Sequence, residues 1–324
     1  MLGERLEYLD GWRGLAILMV LIAHFTPIRG IVLGRFGVDL FFVLSGLLMS
    51  RILFEQRMPI GLFYRRRISR IIPAFVLFVV VAVLIFGHTS AAELLSLLTF
   101  TRTYLPLHDP IWDRSSVVGH LWSLNVEEHC YMLLALIAVS TALRARVGSV
   151  LLGLSALTLA AVGLHLRFGH DPTGSWSINT ECAATGLLAS AGYRAIVHWR
   201  PPLWAVPLAI LSALACYISV APWYASVAFS PFLLAFAVNH VDTSPLRRVL
   251  EVRALGVLGL ISYSVYLWQQ PFYKYPLPYH LGLVGALATG AASFYLLESP
   301  LRRWLNANWR GREPRLLPYP RSAA

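Results

Sequence analysis

The sequence predicts an all-α fold: a polytopic membrane protein with about ten transmembrane helices and both termini cytoplasmic. Three observations predict it. Of 324 residues, 57% are hydrophobic and only 13% charged, whereas a soluble domain carries roughly a quarter charged residues. The apolar residues gather into segments of roughly 20, the length that crosses a bilayer core. The basic residues, all arginine except Lys274, sit mostly in short loops between those segments, which is the pattern that orients membrane helices. That placement accounts for the net charge of +11 and argues against nucleic acid as the partner.

Taken in order, candidate spans lie near residues 12–31, 36–54, 71–87, 120–140, 149–167, 178–197, 203–220, 223–240, 256–275 and 281–298. The first follows charged residues and has no small-residue cleavage site, so it reads as a span and not as a removable signal peptide. A weaker stretch at 91–105 carries Glu93 and Arg102. With the N-terminus inside and this stretch not crossing, 21 basic residues fall inside and 6 outside. Making it cross would put Arg144, Arg247 and the basic C-terminus outside, against the positive-inside bias. Residues 88–119 are therefore expected to form an extracytoplasmic loop with a re-entrant or interfacial piece. Residues 1–300 are expected to form one membrane domain and 301–324 a basic cytoplasmic tail, with no soluble catalytic domain appended. Cys130, Cys182 and Cys216 lie in apolar segments without metal-ligand spacing. They read as packing residues, and no metal is expected.

Ionisable side chains inside spans are costly, so each is a functional candidate. His24 lies deep in LAILMVLIAHF, eleven residues after Arg13. At about 100° per residue that is three turns plus roughly 20°, so both share one helix face about 16 Å apart. An interfacial histidine bonded to a neighbouring helix is the plain alternative. Asp39, in GRFGVDLFFVLSG, could orient an imidazole and hold its tautomer, or could simply be a helix-end charge. Glu127 and Glu128, in GHLWSLNVEEHCYML, point to different helix faces, so at most one faces His24. His120 in the same run reads as a loop or interface residue. Arg67 and Arg70, in FYRRRISRIIP, share a face three residues apart. They serve either as topology anchors or as paired guanidiniums for a phosphate-bearing ligand.

Together these runs resemble acyltransferase family 3, the bacterial membrane O-acyltransferases. The resemblance rests on Arg13 and His24 with ten residues between them, on GVDLFFVLSG, on Arg67 to Arg70, on WSLNVEEHCY, and on the C-terminal SYSVYLWQQP and YLLESP. It departs at His129 and Cys130, where the family usually has Gln-Phe. The resemblance implies a membrane acyltransferase domain of ten helices over residues 1–300, in a bacterial inner membrane. It implies acetyl-CoA or another acyl-CoA as cytoplasmic donor, with Arg13, Arg67 and Arg70 on the coenzyme A side. His24 would be the catalytic histidine and Glu127 a site residue near the acceptor. That acceptor would be a hydroxyl of an extracytoplasmic glycan, lipid-linked saccharide or secreted metabolite. Whether His24 acts as base or forms an acyl-histidine is open at this level. A transporter or flippase for lipid-linked saccharides is the alternative reading, although no inverted repeat with broken helices is visible.

Overall fold

The computed structural model describes residues 7–86, 90–105, 117–168, 175–197, 199–221 and 224–309. These residues are almost entirely helical. The principal helices are α1 (Glu7–Phe25), α2 (Leu33–Ser50), α3 (Ile60–Phe86), α4 (Ala91–Leu98), α5 (Trp122–Val139), α6 (Val147–Phe168), α7 (Thr185–Ile196), α8 (Ala205–Ala215), α9 (Ser230–His240), α10 (Arg253–Leu260), α11 (Ser262–Lys274), α12 (Tyr279–Ala292) and α13 (Ser299–Asn308). Helices α2 and α12 each run on into a wider π-helical turn, Arg51–Glu55 and Ser293–Glu298.

Five helical stretches are long and apolar enough to cross a bilayer: Glu7–Phe25, Leu33–Glu55, Ile60–Ile85, Val147–Phe168 and Tyr279–Asn308. Large apolar side chains such as Val80, Leu84, Leu157, Leu164 and Val284 stand exposed along them, a surface that only lipid accommodates. The sequence pattern suggested ten spans. The other predicted segments are helical too, but they are shorter or broken. The segment at 178–197 divides at Ala184, the one at 223–240 at Phe229 before Pro231, and the one at 256–275 at Ile261. Helix α4 has eight residues, about 12 Å of rise, too short to cross a hydrocarbon core of about 30 Å.

Helix α1 packs against α2 on one side and α10 on another. The α1–α10 contact is a glycine seam. A Cβ at Gly14 would strike the Leu255 carbonyl, and one at Gly259 would strike the Asp10 carbonyl. Small residues are what allow helix backbones to approach this closely in a membrane protein. Behind α1 and α2 lie α7 and α9, and α11 pairs with α12.

The helix expected over 281–298 does not stop at Glu298: α13 continues it through Asn308, into the segment expected to be a basic cytoplasmic tail. Pro300 sits in the first turn of α13, where its missing N–H is harmless, and Ser69 on α3 donates to Asn306 at 3.2 Å. Residues 310–324, the rest of the predicted tail, lie outside the described residues, as do residues 106–116 between α4 and α5. Glu93 and Arg102, in the stretch expected not to cross, form a buried ion pair, with Arg102 Nη2 2.9 Å from Glu93 Oε1. Removing one partner of a buried pair leaves an uncompensated charge. Arg102→Leu is therefore expected to destabilise the fold by about 3–5 kcal/mol, with much of the loss recovered in Glu93→Leu/Arg102→Leu. Thermal unfolding in detergent checks both.

Candidate active site

His24 occupies the last turn of α1, and α11 holds it there. Its Nδ1 lies 2.6 Å from Gln269 Oε1, and its ring stacks on Tyr273 with centroids 4.2 Å apart and planes 17° apart. Gln269 and Tyr273 are four residues apart on one helix and so share a face. Gln269 is fully buried, and its amide nitrogen donates to Gln270 Oε1 at 3.3 Å. In this arrangement the amide oxygen of Gln269 meets the imidazole. A carbonyl oxygen only accepts, so the contact requires the proton on Nδ1 and leaves a lone pair on Nε2. Nε2 lies on the side of Gly34 at the start of α2, 4.0 Å from where a Cβ on that glycine would sit.

Asp39 does not stand behind His24. Its carboxylate accepts from Arg35 Nε at 3.0 Å and from the Tyr217 hydroxyl at 2.7 Å. Arg35 in turn reaches the Ser177 carbonyl and lies over the Trp122 ring. Asp39 therefore anchors α2 to neighbouring segments. The position imagined for it is filled by the uncharged Gln269.

The arginines meet in a cavity of about 270 Å³ enclosed by α1, α2, α3, α5 and α11. Arg13, Arg66, Arg67 and Arg70 line one part of it, and Ser123, Tyr266 and Leu267 another. Arg13 lies 3.8 Å from Asp10 and within electrostatic reach of Arg70. Bringing two guanidiniums together is unfavourable unless an anion joins them. Arg67 differs. Its guanidinium is 2.8 Å from Glu128 and 3.5 Å from Glu127, and sits 3.4 Å above the Tyr131 ring. It is already neutralised by protein carboxylates. Glu127 also accepts from the Ser45 hydroxyl at 2.8 Å. Glu127 therefore lines the arginine cavity.

His24 does not itself line this cavity, and α11 connects the two. Tyr266 and Leu267 form cavity wall, while Gln269, two to three residues on, holds His24. The rise between Tyr266 and Gln269 is only about 4.5 Å. The Tyr266 hydroxyl lies 2.7 Å from Ser123 Oγ and donates to the His120 carbonyl at 2.7 Å. Gln269, Tyr273 and Tyr266 were all missed in the sequence reading. The available signal was two adjacent glutamines, YLWQQP, inside an apolar helix. His120, expected in a loop or at an interface, is buried at the N-terminal approach to α5. Among the described residues, no group of three or more His, Cys, Asp and Glu side chains is arranged to hold a metal ion.

Comparison with known proteins identifies the family. A family model described as an acyltransferase domain, Acyl_transf_3, matches residues 6–295. The O-acetyltransferase OatA of Staphylococcus aureus (strain NCTC 8325 / PS 47) is 25% identical over 351 aligned residues, covering 91% of this chain and 57% of that protein. The peptidoglycan O-acetyltransferase OatA of Listeria monocytogenes serovar 1/2a (strain ATCC BAA-679 / EGD-e) is 24% identical, covering 91% of this chain and 55% of that protein. The chain thus spans a little over half the length of these relatives. No solved structure matches it. The family match runs from the first turn of α1 to the end of α12 and takes in His24, the arginine cavity and Gln269 alike: the chain belongs to acyltransferase family 3.

Proposed function

We propose that this protein is a membrane-embedded O-acyltransferase that moves an acyl group, acetyl in the first instance, from acyl-coenzyme A to a hydroxyl of an extracytoplasmic envelope glycan. The observation that carries the reading is the sharing of α1 and α11 by two chemically distinct places. One is a cavity with clustered guanidiniums. The other is an imidazole whose tautomer is held by a buried glutamine. The first suits the phosphates of coenzyme A. The second suits a general base.

The roles follow. Arg13 and Arg70 bind donor phosphate, with the arginine end of the bundle facing the cytoplasm as the basic-residue distribution favours. Arg67, Glu127 and Glu128 brace that cavity, and Asp39 braces α2. The acyl end of the donor lies towards Tyr266 and Leu267. His24 Nε2 takes the proton of the acceptor hydroxyl, and the oxygen attacks the thioester carbonyl. The names of the relatives favour a cell-wall glycan as acceptor. A bacterial inner-membrane location with both termini inside is part of the same reading.

The test is release of free coenzyme A from acetyl-coenzyme A by the purified protein in detergent, with and without glycan acceptors. Wild type is expected to turn over, and His24→Ala to lose ~10²–10⁴ of that rate, the range of a general base. Equal rates in the two, with His24→Ala folded, would remove His24 from the chemistry. No turnover in either would favour a carrier of lipid-linked saccharide.

A further inference from the structure

His120 is a buried imidazole that the reaction described above leaves unused. It sits in the turn Gly119–Leu121 that leads into α5, 6% exposed. Its ring packs edge-on against Phe78 and Tyr266, with centroids 5.5 Å and 5.2 Å away. Neither ring nitrogen makes a hydrogen bond of ordinary geometry, and the backbone of Leu267 is a polar group set against it. Buried polar atoms in folded proteins nearly always have partners, so each exception calls for an explanation. A second exception lies close by. The indole nitrogen of Trp268, whose ring packs on the other edge-to-face contact of Phe78, is also unpartnered.

The position of this ring matters. Leu121 and Leu267, its neighbours in sequence and in space, both line the arginine cavity. Its own carbonyl holds the Tyr266 hydroxyl, part of the cavity wall. On the other side His24 is within electrostatic reach, fixed by Gln269 one turn beyond Tyr266. His120 thus adjoins the wall of the donor cavity and packs on the same helix, α11, whose Gln269 holds the base. An acyl thioester passing from one to the other would present its carbonyl oxygen there.

We propose that His120 is a further catalytic residue: its ring N–H donates a hydrogen bond to the thioester carbonyl oxygen and stabilises the oxyanion formed when the acceptor attacks. The inference rests on the acyl-transfer reading above. The acceptor O–H proton passes to His24 Nε2 as the new C–O bond forms, and the carbonyl electron pair moves onto oxygen, where His120 holds it. The intermediate collapses, the C–S bond breaks, and the sulfur leaves with the proton from His24 as the free thiol. His120 gains and loses no proton. A preorganised donor that needs no reorganisation during reaction is the most effective use of a buried imidazole, and its unsatisfied state in the absence of substrate is what such a role requires.

The test compares His120→Phe, His120→Gln and wild type for acetyl transfer and for binding of coenzyme A by calorimetry in detergent. His120→Phe keeps an aromatic ring but has no donor, and is expected to lose ~10²–10³ in kcat with KM for acetyl-coenzyme A and coenzyme A binding within about threefold of wild type. His120→Gln keeps an N–H and is expected to recover part of that loss. Intact coenzyme A binding shows that the variants are folded. Should His120→Phe misfold, the comparison rests on His120→Gln against His120→Leu. A packing role predicts that activity tracks thermal stability and that Gln does no better than Leu. Unchanged kcat in a folded His120→Phe, a change confined to KM, or Gln no better than Leu would each overturn the proposal. Absence of acetyl transfer in wild type and every variant alike would instead overturn the acyl-transfer reading on which it stands.

Discussion

Gln269→Leu is expected to cost this protein nearly as much turnover as loss of His24 itself. The Gln269 carbonyl is what holds the proton on Nδ1 and leaves Nε2 as the basic nitrogen. Leucine has similar bulk, so α11 should keep its place, but the imidazole would be free to rotate and to adopt either tautomer. Where a buried group that holds the tautomer of a catalytic histidine is replaced, the loss is roughly 10²–10⁴ in kcat. The expectation here is a fall in that range with KM for the donor little changed. Asp39→Asn is the instructive contrast. It weakens a link to Arg35 and Tyr217, so it should lower thermal stability while sparing kcat. Steady-state kinetics with melting curves on both variants checks the pair. Equal kinetic damage from the two would restore Asp39 as the partner of the imidazole.

The second large effect separates arginines that look alike in sequence. Arg13→Ala and Arg70→Ala are each expected to raise KM for acetyl-coenzyme A by about 10- to 100-fold, the equivalent of a charge-assisted hydrogen bond of roughly 1.5–3 kcal/mol. Melting should barely move. Arg67→Ala should do the opposite. It strips the cation from Glu127 and Glu128 in a largely buried setting, a loss of about 3–5 kcal/mol, and the protein should unfold at lower temperature or fail to accumulate. Lysine at 67 would restore charge but not the guanidinium plane stacked over Tyr131. A folded Arg67→Ala protein with raised KM and normal melting would show that Arg67 binds donor after all.

Much of the site was legible along the chain because charge inside an apolar segment is conspicuous. His24, Arg13, Arg67, Arg70 and Glu127 were found on that ground. What could not be read was which helix each of them faces. Asp39 follows His24 closely in sequence, yet its partners are Arg35 one turn away and Tyr217, far along the chain. Gln269 is uncharged and 245 residues from His24, so a search for ionisable groups passed over it. Glu127 was expected near the acceptor on the resemblance alone, whereas Ser45 and Arg67 are its partners in the fold. The fold shows the same division. Apolar stretches near α1, α2, α3, α6 and α12 mark unbroken helices. Phe229 and Ile261 carry no warning in their hydropathy that the chain breaks there, although Pro231, two residues after Phe229, is a helix-start signal for the first break.

Helix α1 is pinned at both ends, by the seam of Gly14 and Gly259 near Arg13 and by Gln269 and Tyr273 at His24. It is therefore a ruler with fixed marks. One residue inserted between the marks would turn His24 by about 100°, out of reach of Gln269, and neither anchored end could slide to absorb the error. Under the proposed function, a donor is then measured as well as recognised. A thioester whose anionic end and reactive carbon are spaced differently from the two marks on α1 would miss the base, whatever its acyl group.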